Sequence, residues 1–445
     1  MNFTKEDLLR RITELEEVAG TPARFVVAFS GGLDSSVLIH ALAGSRDQHR
    51  IPITAVYVDH GLQSESITWG EHCDKFASDL DIDFTKRSVT VDLDSGFGPE
   101  AAARQARYSA LRNFLEPGDW LMSAHHMDDQ AETVLLNLMR GSGTSGLAGI
   151  SAARRLACGW LVRPLLDVPG SALQDYASDH DLDHIVDPSN LDQKFDRNYL
   201  RHDVLPRLNA RWPDAAGRIR RSARLAREAT TLLCELAEID RQAFADRSDR
   251  LSIAELGKLP KERQRNLLRY LILELGLPSP GAVHLEQIVE ELVQAREDAQ
   301  PLVAWPGAKA RRYRDRLYLL PGDEVEPPVP EIQKIAGEKV LLPGGLGVLE
   351  LVKGAGSGLS EAVLKQGLEL RYRVGGEEFK PVGQSHTRKL KKLLQEEGVV
   401  PWMRDTLPLL YSDRKLVAVA DLWIAADAAT DPGTSIKWKN RPAIH

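Results

Sequence analysis

Cysteine is scarce in this chain, with only Cys73, Cys158 and Cys234 among 445 residues. They are odd in number, widely separated and form no CxxC pair, which excludes a disulfide framework and a cysteine-rich zinc or cluster site. No apolar run approaches the ~20 residues that cross a bilayer. The opening MNFTKEDLLRRITELEE is charged and amphipathic, unlike a secretory h-region. The expected location is the reducing cytoplasm, with no membrane partner. Positive charge is also in deficit: 57 Lys and Arg stand against 64 Asp and Glu, a net charge of −7, which taken alone argues against a nucleic-acid partner. Hydrophobic content of 43% and charged content of 27% show none of the bias that marks collagen, coiled coil or disorder.

At about 150 residues per domain, the chain has room for two to four folding units. Residues 25 to 190 alternate short apolar runs with helical periods, the pattern of a mostly parallel sheet covered by helices. Strands are expected at Phe25–Phe29, Ile53–Val58, Phe84–Val91 and Trp120–Ala124. Helices are expected inside DSSVLIHALAG, ending at Gly44, and over Asp128–Met139, ending at Gly141. From Arg218 to Asp246, Leu225, Ala229, Leu232, Leu236, Ile239 and Ala243 recur at three- and four-residue intervals, predicting one long helix. Further helical periods lie near Arg263–Leu275 and Leu285–Gln294. The Pro- and acid-rich stretch PGDEVEPPVP reads as a linker. The expected fold class is α/β: a doubly wound, mostly parallel sheet in a nucleotide-binding domain over 1–215, a helical domain over 216–320, a linker at 321–335, and a small α+β domain over 336–445.

The most informative string is VVAFSGGLDSSVL. Two glycines after a buried strand permit positive φ and close approach of backbone N–H groups to an anion. Ser30, Gly31, Gly32, Leu33, Asp34 and Ser35 lead into a helix whose positive end would face a phosphate. The loop matches neither GxxxxGK[ST] nor GxGxxG, so a P-loop NTPase and a dinucleotide dehydrogenase lose their expected motif here. An acid such as Asp34 beside phosphate is costly unless it meets Mg²⁺ or a basic group.

At the end of the fourth strand lies AHHMDDQAET. On a helix Asp128 and Glu132 share a face, as do Asp129 and Thr133. Acids in a first turn can simply complement the dipole, but their position past a strand's carboxyl end suits a ligand site. Asp34 and Asp129 are candidate Mg²⁺ ligands; His125 and His126, without Cys or a HExxH pattern beside them, suit nucleotide contact or plain packing better than metal binding. Asp59 and His60 in VDHGL serve equally as turn formers or ligands. Arg104 and Arg107 form one positive stripe of a helix.

Two intervals contradict the acidic average. Nine arginines (197, 201, 207, 211, 218, 220, 221, 224 and 227) face only Asp203 and Asp214, and arginine in preference to lysine favours phosphate forks. Lys380, Arg388, Lys389, Lys391 and Lys392 occur without an acid between them. Two basic patches on separate domains suit a long polyanion.

SGGLDS resembles the pyrophosphate loop of the ATP pyrophosphatases, the PP-loop enzymes that cleave ATP between its α and β phosphates. Together with VDHGL, EAAARQARY, AHHMDDQAETVLLNLMRGSG, RPLL, DPSN, RNYLR, WPGAKARRYRDRLYLL, LRYRVGGEEF, RKLKKLLQE and VPWMRDTLPLLY, the chain resembles the tRNA(Ile)-lysidine synthase family over nearly its whole length. That resemblance implies ATP and Mg²⁺ as cofactors, and L-lysine and an isoleucine tRNA with a CAU anticodon as substrates; a homodimer is left open. It implies phosphate binding by Ser30 to Ser35, metal binding by Asp34 and Asp129, and catalysis by Asp34, Asp129, Glu132 and Arg201, with Glu132 meeting the lysine amine. It implies substrate or tRNA contacts at Asp59, His60, Arg104, Arg107, His125, Arg197, Arg220, Arg221, Arg224, Arg388, Lys389 and Lys392. A tRNA thiolase would need reactive or cluster-binding cysteines and an amidotransferase a glutaminase nucleophile; neither is found. A non-catalytic tRNA binder would gain nothing from the acids at 128, 129 and 132.

Overall fold

The computed structural model describes the chain except residues 1, 62–65, 92–98, 244–249, 297, 298, 300, 323–331, 336, 355, 443 and 445. The expected linker therefore lies largely outside the described residues. The chain forms two compact units, residues 1–233 and 234–445.

The first unit is built on a six-stranded sheet of order β3-β2-β1-β4-β6-β5, with β1 Arg24–Ala28, β2 Ile53–Asp59, β3 Asp83–Ser88, β4 Asp119–Met122, β5 Ala153–Leu156 and β6 Gly159–Val162. All pairings are parallel except that of β5 with β6. The apolar run of β1 is buried on both faces, as a central parallel strand requires. Phe25, Val27 and Phe29 pack with Leu38, Leu42 and Trp120 on one side, while Val26 packs with Val56, Leu111, Leu121 and Leu161 on the other. Each such burial contributes roughly 1.5–3 kcal/mol.

From β1 the chain crosses to β2 on one side, and β4 is added on the other. This reversal opens a crevice beyond the carboxyl ends of β1 and β4, where open α/β sheets bind ligands. Two helices start there: α1, Leu33–Ala43, leaves β1 and α2, Met127–Met139, leaves β4. Helix α3, Asp196–Tyr199, continues into a π-helical turn at Leu200–Val204 and crosses the region of α2.

In the second unit, helix Lys261–Glu274 buries Leu267, Leu268, Leu271 and Ile272, in accord with its period. A four-stranded antiparallel sheet formed by Arg250–Ser252, Leu302–Trp305, Ala308–Tyr313 and Arg316–Pro321 packs in the same core. The helical reading of this region did not register those strands. The remaining part carries two five-stranded sheets, one including Leu368–Arg371, Leu409–Ser412 and Lys415–Val419, the other Val348–Lys353 and Thr434–Lys439. No helix among the described residues is long and apolar enough to cross a membrane.

Candidate active site

A cavity of about 520 Å³ occupies the crevice. Its walls come from the ends of three strands: Phe29 and Ser30 after β1, Val58 and His60 at β2, and Ser123, Ala124 and His125 after β4. Gly32, Leu33, Asp34 and Ser35 close one end, and Asp129, Arg107, Tyr108 and Arg201 reach in from helices.

The glycine loop is held by its own hydroxyls. Ser35 Oγ donates to the Gly32 carbonyl at 2.9 Å and lies 3.2 Å from Ser30 Oγ, while Ser36 Oγ donates to the Gly31 carbonyl. Among the described residues no side chain caps α1 at Gly32, an arrangement in which first-turn N–H groups can receive an anion. Gly31 has φ +76°, and a Cβ there would stand 2.4 Å from Ile185 Cδ1 and 2.9 Å from Cys73 Sγ. Gly31→Ala combines left-handed strain of about 1–2 kcal/mol with overpacking of about 1–3 kcal/mol. It is expected to lower the melting temperature and the ATP affinity together; calorimetric titration with unchanged ATP affinity would show that this loop does not cradle the phosphates.

His126 sits at the start of α2 among three carboxylates. Its Nε2 lies 3.6 Å from both Asp34 Oδ2 and Asp129 Oδ2, and its Nδ1 is 3.7 Å from Asp128 Oδ2. The cap is reciprocal: His126 Nδ1 accepts from the Asp128 N–H, and Asp129 Oδ2 accepts from the His126 N–H at 2.9 Å. Burial alone would raise the Asp129 carboxyl, but His126, His125, Arg197 and that backbone N–H outweigh it and hold it at about 2. Asp34 goes the other way: burial raises its carboxyl, with Asp129 and Asp128 adding to the effect against His126 and Arg201. His125 is pushed down to about 3 by burial and by Arg163, Arg104 and Arg197 against the pull of Asp129, with Nδ1 2.5 Å from Ser123 Oγ. It lines the cavity as a neutral ring with one donor and one acceptor nitrogen.

Behind this front lies Glu132, fully buried. Arg201 Nε donates to its Oε1 at 2.6 Å and Arg197 Nε to its Oε2 at 2.7 Å, while both arginines also reach Asp129 Oδ1, at 3.0 and 3.3 Å. Glu132 does not line the cavity. The sequence reading expected Glu132 to meet the lysine amine; in the structure its two oxygens are instead held by the guanidinium groups of Arg197 and Arg201.

Other expected residues divide. His60 lines the cavity, with Nδ1 buried and without a hydrogen-bond partner among the described residues. Asp59 does not line it; burial would raise its carboxyl, but Lys86 at 3.0 Å, the Gly61 N–H and Ser66 hold it low, so it shapes the turn. Arg107 lines the cavity, whereas Arg104 is exposed beside Tyr108. Arg220 pairs with Asp167 at 2.8 Å and Arg224 with Glu228 at 2.7 Å. Arg221 is exposed and has no ion-pair partner among the described residues. Arg227 donates to the carbonyls of Ala148 and Ile150. In the second unit Arg388 pairs with Glu396, while Lys389 and Lys392 are exposed. Sequence reasoning weighed His126 only with His125, as a nucleotide contact or a packed ring, and did not foresee its place among three carboxylates; it assigned no role to Arg163 of RPLL, a buried guanidinium that donates to the Ser151 carbonyl at 2.6 Å.

A glycine–serine loop feeding an uncapped helix at a sheet reversal, facing two carboxylates, defines the PP-loop class of ATP-using folds, and the PP-loop domain model matches residues 4–208. The TilS substrate binding domain model matches residues 251–318 and the TilS substrate C-terminal domain model residues 368–438. The chain is 43% identical to a tRNA(Ile)-lysidine synthase of Alkalilimnicola ehrlichii, covering 97% of this chain and 96% of that one. It is 40% identical to that of Coxiella burnetii, covering 94% and 92%, and 35% identical to that of Proteus mirabilis, covering 96% and 98%. The chain belongs to the tRNA(Ile)-lysidine synthase family.

Proposed function

We propose that this chain joins L-lysine to C2 of the wobble cytidine of an isoleucine tRNA with a CAU anticodon, converting ATP to AMP and pyrophosphate. The observation that carries the reading is the meeting of Asp34, Asp129 and Arg201 with the glycine–serine loop in one cavity. The C2 oxygen of cytidine is a poor leaving group. Attack by that oxygen on the α phosphorus expels pyrophosphate; attack by the neutral lysine amine on C2 then expels AMP, and the amine's protons pass to base and solvent.

In this reading Ser30 to Ser35 hold the phosphates and Arg201 and Arg107 stand where charge builds on the α phosphate or the base. Mg²⁺ suits the oxygen donors of Asp34 and Asp129, which are too few for a closed cage and leave positions for phosphate oxygens and water; when bound it neutralises charge on the triphosphate. Burial and the neighbouring carboxylates raise Asp34, so a cation or guanidinium beside it would offset a cost that its charged form carries. The reading assigns catalysis to residues 1–215, and tRNA contacts to 216–320 and 336–445 through exposed cations such as Arg221, Lys389 and Lys392. A tRNA modification of this kind places the protein in the cytoplasm.

The test is mass analysis of tRNA nucleosides after incubation with ATP and isotope-labelled lysine. The expected result is a cytidine carrying the label, with one pyrophosphate released per lysine joined. Pyrophosphate release without labelled cytidine would reduce the reading to a PP-loop nucleotidyl transferase of another specificity.

A further inference from the structure

The segment from Phe195 to Val204 is wound so that its side chains leave in three directions. Arg197 and Arg201, four residues apart, turn inward to Glu132 and Asp129. Asn198 and His202, also four apart, pin the neighbouring turn Pro188–Leu191: Asn198 Nδ2 donates to the carbonyls of Ser189 and Asp192, and His202 Nε2 is 2.9 Å from the Asn190 carbonyl. Phe195 and Tyr199 form the third pair, joined by the hydrogen bond from the Tyr199 N–H to the Phe195 carbonyl at 3.0 Å. Both face solvent, Phe195 at 40% and Tyr199 at 50% exposure.

The rings do not line the cavity themselves, but the segment that carries them borders it. Arg201, two residues beyond Tyr199, lines it, as do Val186, Asp187 and Asn190 of the turn that Asn198 and His202 hold. An aromatic pair bound on a rigid turn and left in water has no part in the core clusters of this unit. A nucleobase that reacts inside the cavity must leave its stack, which deprives its neighbours of a partner. Single-stranded RNA loops recover that loss on exposed aromatic faces, with cations along the backbone. Exposed Lys194, next to Phe195, supplies charge of the required sign, beside exposed Asp192 and Asp196.

We infer that Phe195 and Tyr199 form a stacking platform for the unpaired anticodon-loop bases that flank the reacting cytidine, an inference that rests on the function proposed above. The platform sets how the loop enters, so its loss shows in RNA affinity and KM for tRNA more than in ATP affinity.

The experiment uses the full chain with Phe195→Ala, Tyr199→Ala and the double substitution. Dissociation constants are measured for the CAU-anticodon tRNA and for the same tRNA made abasic at the two nucleotides flanking the wobble position. The double variant is expected to bind intact tRNA about 10- to 100-fold more weakly, with the same salt slope, because no cation is removed. It is expected to show no further loss on the abasic RNA, while Phe195→Tyr and Tyr199→Phe retain wild-type affinity. Unchanged affinity for intact tRNA, or an equal loss on intact and abasic tRNA, would overturn the platform. Lysine incorporation by the unaltered chain, run in parallel, separates the two levels: its absence removes the proposed function, whereas its presence with indifferent variants removes the platform alone.

Discussion

Replacing Glu132 with alanine is expected to lower the stability of the first unit by about 3 kcal/mol, because two guanidinium groups lose the carboxylate that neutralises them in a buried setting. For a unit of this size that corresponds to a fall of about 6–12 °C in melting temperature. The reasoning is geometric. Glu132 is fully buried, and Arg197 and Arg201 approach its two oxygens at 2.7 and 2.6 Å while sharing Asp129 Oδ1. Without Glu132 the pair converges on Asp129 alone, and Arg201, the one of the two that lines the cavity, loses its orientation. Turnover is therefore expected to fall by about 10²–10³-fold, the range seen when a positioned charge-stabilising donor is lost. Glu132→Gln keeps the shape and one acceptor oxygen, so it should fall between wild type and alanine in both thermal unfolding and lysine incorporation. A Glu132→Ala variant with the wild-type melting temperature would show that the buried carboxylate is not the anchor of this cluster.

The parallel sheet could be read in advance because central parallel strands are apolar on both faces, and the runs at 25–29, 53–58 and 120–124 lie between glycine, proline or charged turns. The glycine loop was equally plain as a turn, since Ser-Gly-Gly after a buried strand supplies the positive φ that Gly31 adopts. Periodicity was less informative about which side of a helix is covered. Helix Ala215–Ala243 forms where expected, yet Leu225, Leu232 and Ile239 of its apolar stripe are 53%, 64% and 62% exposed, while Ala223 and Ala237 are buried. The strands between 302 and 321 escaped notice for a different reason. Strand Ala308–Tyr313 is buried at every position but Arg311, and two of the buried positions, Lys309 and Arg312, carry charged side chains that the sequence reads as exposed. Arg312 is satisfied at its head by the carbonyls of Leu292 and Val293.

Charge runs posed the same difficulty at the site. The arginine-rich interval reads as a single polyanion face, but its members point to different partners: Arg197 and Arg201 to buried carboxylates, Arg220 to Asp167, Arg227 to backbone carbonyls. A linear sequence records the sign of a charge and not the side of the helix from which it leaves. His126 shows the converse. Nothing distinguishes it from His125 in the string, yet the cap geometry places one ring among three carboxylates and the other against Ser123.

Asp34→Asn and Asp129→Asn are expected to agree in activity and to oppose each other in stability. Both remove a carboxylate from the cavity, so both should reduce lysine incorporation by about 10²–10³-fold or more. The sign of the stability effect follows from their environments. Burial raises the Asp34 carboxyl above its ordinary 3.8, so the folded protein loses stability as pH rises from 3.8 through the raised value, and that loss persists at neutral pH. Asparagine removes the charge that causes it; the melting temperature of the ATP-free protein at pH 7 should rise. Asp129 titrates at about 2, below its ordinary 3.8, so its contribution is present above 3.8 and disappears as pH falls through about 2. Asparagine there forfeits the stabilisation at neutral pH and leaves Arg197, Arg201 and His126 short of a partner, so the melting temperature should fall. Calorimetric scans of the two variants between pH 5 and 8 decide the matter: equal losses of stability would show that Asp34 is held by unseen favourable contacts and that its charge is not a cost reserved for a bound cation.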